Sequence, residues 1–185
     1  MAAPDRDRLT RGPSPEEFFD SVRECFHDAA HSEPAERAYR IGDRTVLLRF
    51  AGRALERLLT PALGHLSLPV PPEEAPGLTV LIFDTAGTGV APPAPAWGPA
   101  GYGVRGEIAG FNTERVRTVY QPGSDVLLMT DRERVEGIYW TADARNVPYW
   151  ESSFPLRTIF HWWLEDLEFQ PVHAAAVGLA GGAGC

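Results

Sequence analysis

The chain has 185 residues, 44% of them hydrophobic, enough for one moderate domain or for a small domain with part of a second, and disorder throughout is not expected. Its net charge of −8 offers no basic field to phosphate backbones or anionic bilayers, so neither a nucleic-acid nor a membrane partner is expected. All 17 basic residues are arginine, so neither a GxxxxGK[ST] phosphate loop nor a protein-kinase strand lysine is encoded in these residues.

Cys25 and Cys185 lie at opposite ends and neither belongs to a CxxC pair. A disulfide framework and a four-cysteine zinc site are therefore excluded, and a cytoplasmic location is expected. Residues 1–13 read as a mobile leader: they carry arginines but no apolar signal-peptide core, and no run in the chain is long enough to span a bilayer. Ser14-Pro15-Glu16-Glu17 then opens a helix, with a capping serine, a proline where no N–H is needed and acids at the positive helix end. Phe18, Phe19, Val22, Cys25, Phe26 and Ala29 form its apolar stripe, and Pro34 lies beyond its end. Cys25, His27 and His31 share the segment, but Cys25 lies on the stripe and the histidines off it. No fourth ligand follows, so no metal site is expected.

Residues 38–41 and 44–50 flank Gly42-Asp43, the pattern of a type II′ hairpin. Ala54, Leu55, Leu58, Leu59 and Ala62 predict a second amphipathic helix ending at Gly64. Pro69, Pro71, Pro72 and Pro76 predict an extended connector, and residues 78–83 a buried strand. Gly87 and Gly89 follow that strand as a nucleotide-binding turn would, but Pro92 and Pro93 fall where the phosphate-binding helix should begin. Gly101-Tyr102-Gly103-Val104-Arg105-Gly106 matches GxGxxG, yet a proline-rich loop precedes it and a strand-like run follows. A sheet edge with glycines admitting a close neighbour is expected there instead of a dinucleotide site. Residues 115–120, 126–130 and 134–141 read as three antiparallel strands. Tyr139, Trp140, Tyr149 and Trp150, with Trp162 and Trp163, predict an aromatic core seam, Trp162 standing off the stripe of its own helix.

That last helix carries Leu156, Ile159, Phe160, Trp163, Leu164 and Leu167 at i, i+3, i+4, i+7, i+8 and i+11. Ser152 or Ser153 is its expected cap and Pro155 its first-turn proline, with Arg157 a partner for Asp143 or Glu151. Residues 172–179 read as a strand covered on both faces, and Gly181, Gly182 and Gly184 as a turn leading into a further strand, so the sequence is expected to be a piece of a longer protein.

The order PLR…HWWL…VHAAAVG…GG, with Tyr139-Trp140, Asp143, Pro148 and Trp150-Glu151 before it, resembles the segment leading into the nucleotide-binding loop of HPr kinase/phosphorylase-like serine kinases, in particular their compact bacterial relatives. The resemblance runs from about Tyr139 to Gly184. It implies the N-terminal portion of an ATP- and Mg-dependent enzyme that phosphorylates a serine on a protein or peptide, the sequence stopping short of the phosphate loop. It also implies a catalytic role for His173, which on its sequence context alone reads as a histidine buried in a strand. No cofactor is expected in the chain itself, and a homo-oligomer stays open. The alternative is a non-catalytic module that recognises a peptide or carrier protein by a sheet edge or the aromatic cluster; a metal hydrolase has no ligand set behind it. The expected architecture is α+β: a mainly antiparallel sheet with flanking helices over residues 14–150, then over 151–185 the first helix and strand of a P-loop kinase-like domain.

Overall fold

The computed structural model of the chain describes residues 12–31, 33–69, 74–95, 97–98, 101–103 and 106–169. The first helix, α1 (Pro15–Ala29), begins where its capping box dictates: the Ser14 hydroxyl accepts from the Glu17 N–H at 3.1 Å, and the Glu17 carboxylate accepts from the Ser14 N–H at 2.9 Å. Strands β1 (Pro34–Ile41) and β2 (Arg44–Ala51) form the hairpin read from Gly42-Asp43. Gly42 has φ +60 while Asp43 stays outside the positive region, which separates a II′ turn from a I′ turn.

The second predicted helix is shorter than its hydrophobic pattern. Helix α2 (Ala54–Leu59) stops before Pro61, whose ring and missing N–H forbid another α turn, and a 3-10 helix (Pro61–Leu66) carries the stripe on to buried Leu63. Buried Glu56 on α2 is held by Arg37 of β1 and by Arg53, which ties the helix to the hairpin. A two-residue strand, β3 (Ser67–Leu68), then pairs with β1.

The apolar run after the proline connector is β4 (Leu78–Asp84), followed by one helical turn, α3 (Thr85–Thr88). The remaining strands, β5 (Val116–Gln121), β6 (Val126–Asp131) and β7 (Glu136–Thr141), form the expected antiparallel meander. All seven strands make one sheet in the order β3-β1-β2-β4-β7-β6-β5. Its central strand β4 runs parallel to both neighbours, β2 and β7, and the other pairings are antiparallel. The architecture is thus α+β, with a mixed and mainly antiparallel sheet and flanking helices.

Both faces of the sheet are covered, which is why β4 reads as an unbroken apolar run. Toward α1 it presents Leu81, Phe83, Leu127, Met129 and Ile138, against Phe18, Phe19, Val22 and Phe26. Toward the other side it presents Val46, Leu48, Phe50, Val80, Ile82, Leu128 and Tyr139. These meet Leu55, Leu59 and Leu63, together with Leu156, Ile159, Phe160 and Trp163 of the last helix, α5 (Arg157–Asp166). The helix after the expected division between residues 14–150 and 151–185 therefore shares its core with the sheet before it.

The described residues of the glycine pattern, 101–103 and 106, lie at a sheet edge, as expected. Tyr102 bridges Ile108, Glu107 bridges Val119 of β5, and the Tyr120 N–H donates to the Gly106 carbonyl at 3.0 Å. A Cβ on Gly106 would stand 2.5 Å from the Tyr120 carbonyl oxygen, at φ +85, so only glycine brings this segment against β5. The strand-like run after it is shorter than expected, turning at Ala109-Gly110 after two bridged residues.

Candidate functional site

The described residues that carry the resemblance run from β7 through one turn into α5. After Thr141 the chain makes a 3-10 turn (Ala144–Asn146) capped by Asp143, whose carboxylate accepts from the Arg145 backbone at 2.9 Å and pairs with the Arg145 guanidinium. Those hydrogen bonds hold the Asp143 carboxyl below its ordinary range. Pro148 then starts a short helix, α4 (Tyr149–Ser153), of which Glu151 is the buried residue.

Phe154, ahead of Pro155, stands outside the α region with φ −142 and ψ 75, and Leu156 takes a left-handed conformation with φ +59 immediately ahead of α5. This corrects the expected cap: neither Ser152 nor Ser153 caps α5, and the Ser152 hydroxyl instead donates to the Tyr149 carbonyl at 2.6 Å. Pro155 lies ahead of α5 and not within its first turn. The stripe itself holds, with Leu156, Ile159, Phe160 and Trp163 buried and Leu164 and Leu167 partly so.

Glu151 organises the turn from beneath. Burial pushes its carboxyl above the ordinary glutamate range, against the opposing pull of the Leu156 backbone N–H that it accepts and of nearby Arg157. Arg157 thus stands near Glu151, while Asp143 is paired with Arg145. The Tyr139 hydroxyl is buried with no hydrogen-bond partner among the described residues, and burial first, then the Glu151 charge, raises its pKa. A raised acid stabilises the fold fully below its unfolded pKa of about 4.3, and that contribution is lost as pH rises through the higher folded value. Glu151→Gln, neutral and able to accept the same N–H, is therefore expected to match the wild-type melting temperature at acid pH and exceed it at neutral pH. Thermal melts at both pH values check this; a variant less stable throughout would mean that the ionised carboxylate holds the turn.

The expected aromatic seam is not one cluster. Tyr139 and Trp140 are consecutive on β7 and so face opposite sides of the sheet, Tyr139 toward α5 and Trp140 toward α1. Trp163 is buried and Trp162 half-buried beside the same core, but Tyr149 and Trp150 are 80% and 55% exposed, packed edge to face at 5.2 Å. Sequence spacing brought these rings near one another along the chain; β alternation and the inward turn of Glu151 separate them.

His173, the expected catalytic residue, lies outside the described residues, as do the strand 172–179 and the glycine turn beyond it. At the opposite end of the sheet from α4, where β4 and β7 begin and α5 ends, a cavity of about 400 Å³ is lined by Arg44, Gly77, Thr130, Glu136, Trp163 and Leu167 among others. The Thr130 hydroxyl there is buried without a hydrogen-bond partner among the described residues. Gly87 and Gly89 do not form a phosphate cradle: α3 is a single turn, and the Asp84 carboxylate accepts from the Gly87 N–H at 2.8 Å, putting a fixed negative charge where an anion would sit. Sequence reading named Glu151 only as a partner for Arg157 and missed its burial and that of Asp84; the one available signal for Asp84 was its place directly after the apolar run 78–83. No family model, curated protein or solved structure matches the chain.

Proposed function

We propose that this chain is the N-terminal portion of an ATP-dependent serine kinase of the HPr-kinase-like kind. In that reading its α+β unit carries the lead-in to a P-loop domain, and the complete protein phosphorylates a serine on a protein or peptide with ATP and Mg. The resemblance is the basis of the reading. One observation supports it: of the matching residues Tyr139, Leu156 and Trp163 share one core, and buried Glu151 holds the turn that leads into Leu156.

Two expected results test it. The 185-residue chain lacks every lysine-dependent phosphate contact, so calorimetric titration with Mg-ATP should give weak heat or none. In the longer protein, with its phosphate loop present, His173→Ala should lower turnover by roughly 10²-fold while ATP affinity and unfolding midpoint stay nearly unchanged, the signature of a positioned acid–base group. Activity falling only in step with folded protein would make His173 a core residue, and a coding sequence that stops at Cys185 would end the kinase reading. The second reading, a non-catalytic peptide-binding module, is favoured by the exposed ring pair on α4.

A further inference from the structure

We infer that the outer face of α4 is a docking surface for an acidic segment of a partner protein, anchored on Trp150. The inference deepens the peptide-binding reading and does not depend on the kinase reading.

Exposed large apolar side chains are scarce among the described residues: Val135, Tyr149, Trp150, Phe154 and Phe169. Three of these five, Tyr149, Trp150 and Phe154, fall within one six-residue stretch, and the Tyr149 and Trp150 rings pack edge to face. Nothing in the local fold requires them outside. Glu151 takes the inward position, so the helix turns a buried carboxyl to the core and its rings to solvent, at a cost in both places. Exposed aromatic rings with few rotatable bonds are the residue type that anchors protein interfaces.

The charge around them sets the partner's chemistry. Almost every described arginine is matched to a carboxylate; among the described residues only Arg40, Arg57 and Arg157 form no ion pair. Two of these three flank α4: Arg57 is exposed on α2, which packs against α4, and Arg157 is exposed at the start of α5. Arg145, paired with Asp143 but 84% exposed, stands just ahead of α4. Arg157 has only the buried Glu151 near it and Arg57 has no ion pair, so rings bordered by these exposed guanidinium groups suit a carboxylate-bearing, apolar-anchored segment. A bilayer is the poorer fit, because an extended anionic surface would face the whole −8 chain, whereas a short segment meets only the field within a Debye length of about 8 Å.

The test is fluorescence polarisation of the full 185-residue chain with a labelled peptide of Glu, Asp, Leu and Phe. Saturable binding is expected, weakened by salt, and absent for a peptide of Lys and Leu in the same pattern. Trp150→Ser and Arg57→Glu, both at exposed positions, should each weaken it about tenfold or more without moving the unfolding midpoint. Absence of binding, equal binding of the basic peptide, or insensitivity to both substitutions overturns the proposal. So does preferential binding to phosphatidylserine vesicles, or sedimentation showing that Trp150 serves contact between two copies of the chain. None of these readouts involves ATP or turnover, so they stand apart from the fate of the kinase reading.

Discussion

Replacing Trp163 with alanine is expected to cost about 3 to 5 kcal/mol of stability, the range for a large ring removed from a core, and Trp162→Ala appreciably less. Trp163 is 6% exposed and lies over the face built by Val80, Leu128 and Tyr139. Its indole N–H donates to the Gly77 carbonyl at 2.9 Å, so the ring also fastens α5 to the residue that leads into β4. Truncation would leave a cavity and a carbonyl without its donor. Trp162 is half-buried at the margin of the same cluster and gives up less area. Denaturant midpoints measured side by side decide the order; equal or reversed effects would mean that α5 is docked by another face.

The second large effect is expected at Asp131. Its side chain is 1% exposed and accepts from Arg115 at 2.8 Å, from the Glu133 N–H at 3.0 Å and from the Arg134 N–H at 3.2 Å. Arg134 also reaches Asp20 on α1, so this carboxylate joins the β6–β7 turn to the helix across the sheet. The same turn holds Val135 at φ +52, a strained conformation for a β-branched residue. Burial alone would push the Asp131 carboxyl up, but the hydrogen bonds from Arg115 and from the two backbone N–H groups outweigh it and hold the pKa below the usual range. Asp131→Ala should therefore cost about 3 kcal/mol at neutral pH, since it strands arginines and buried N–H groups together. With a depressed folded pKa, the carboxylate's contribution is present above its unfolded pKa of about 3.9 and lost as pH falls through the folded value. The gap between wild type and variant in urea midpoint should accordingly narrow in acid. A gap that stays constant with pH would assign the loss to packing instead of charge.

What the sequence made legible was local. The start of α1 follows from four adjacent residues, and the hairpin from Gly42-Asp43 between two alternating runs, so neighbours in the chain decide them. The last helix was legible in its stripe but not in its start, because the residue before Pro155 is driven out of the α conformation that a continuous helix would have needed there. Phe18 and Phe83, or Val80 and Ile159, share a core only because β4 is inserted between β2 and β7, strands far apart in the chain, and no local pattern encodes that order. The turn at α4 was harder still. A buried glutamate between exposed rings reverses the usual placement of charge and aromatic, so composition pointed the rings inward.

The two ends of the sheet also bear on how the protein behaves in concentrated solution. An open strand edge is a template on which a second chain can add, and here both edges are blunted: β1 by the two residues of β3, and β5 by the glycine segment that lies along it. The second guard is shared between Asn112, whose amide satisfies both backbone groups of Thr118, and Gly106, where a hydrogen atom in place of a side chain lets the segment approach Tyr120. A larger residue at Gly106 lifts the guard from β5 and disturbs buried Ile108 and Phe111 beside it, so its mark would be strand-to-strand aggregation that grows with concentration together with a weakened core on the α1 side.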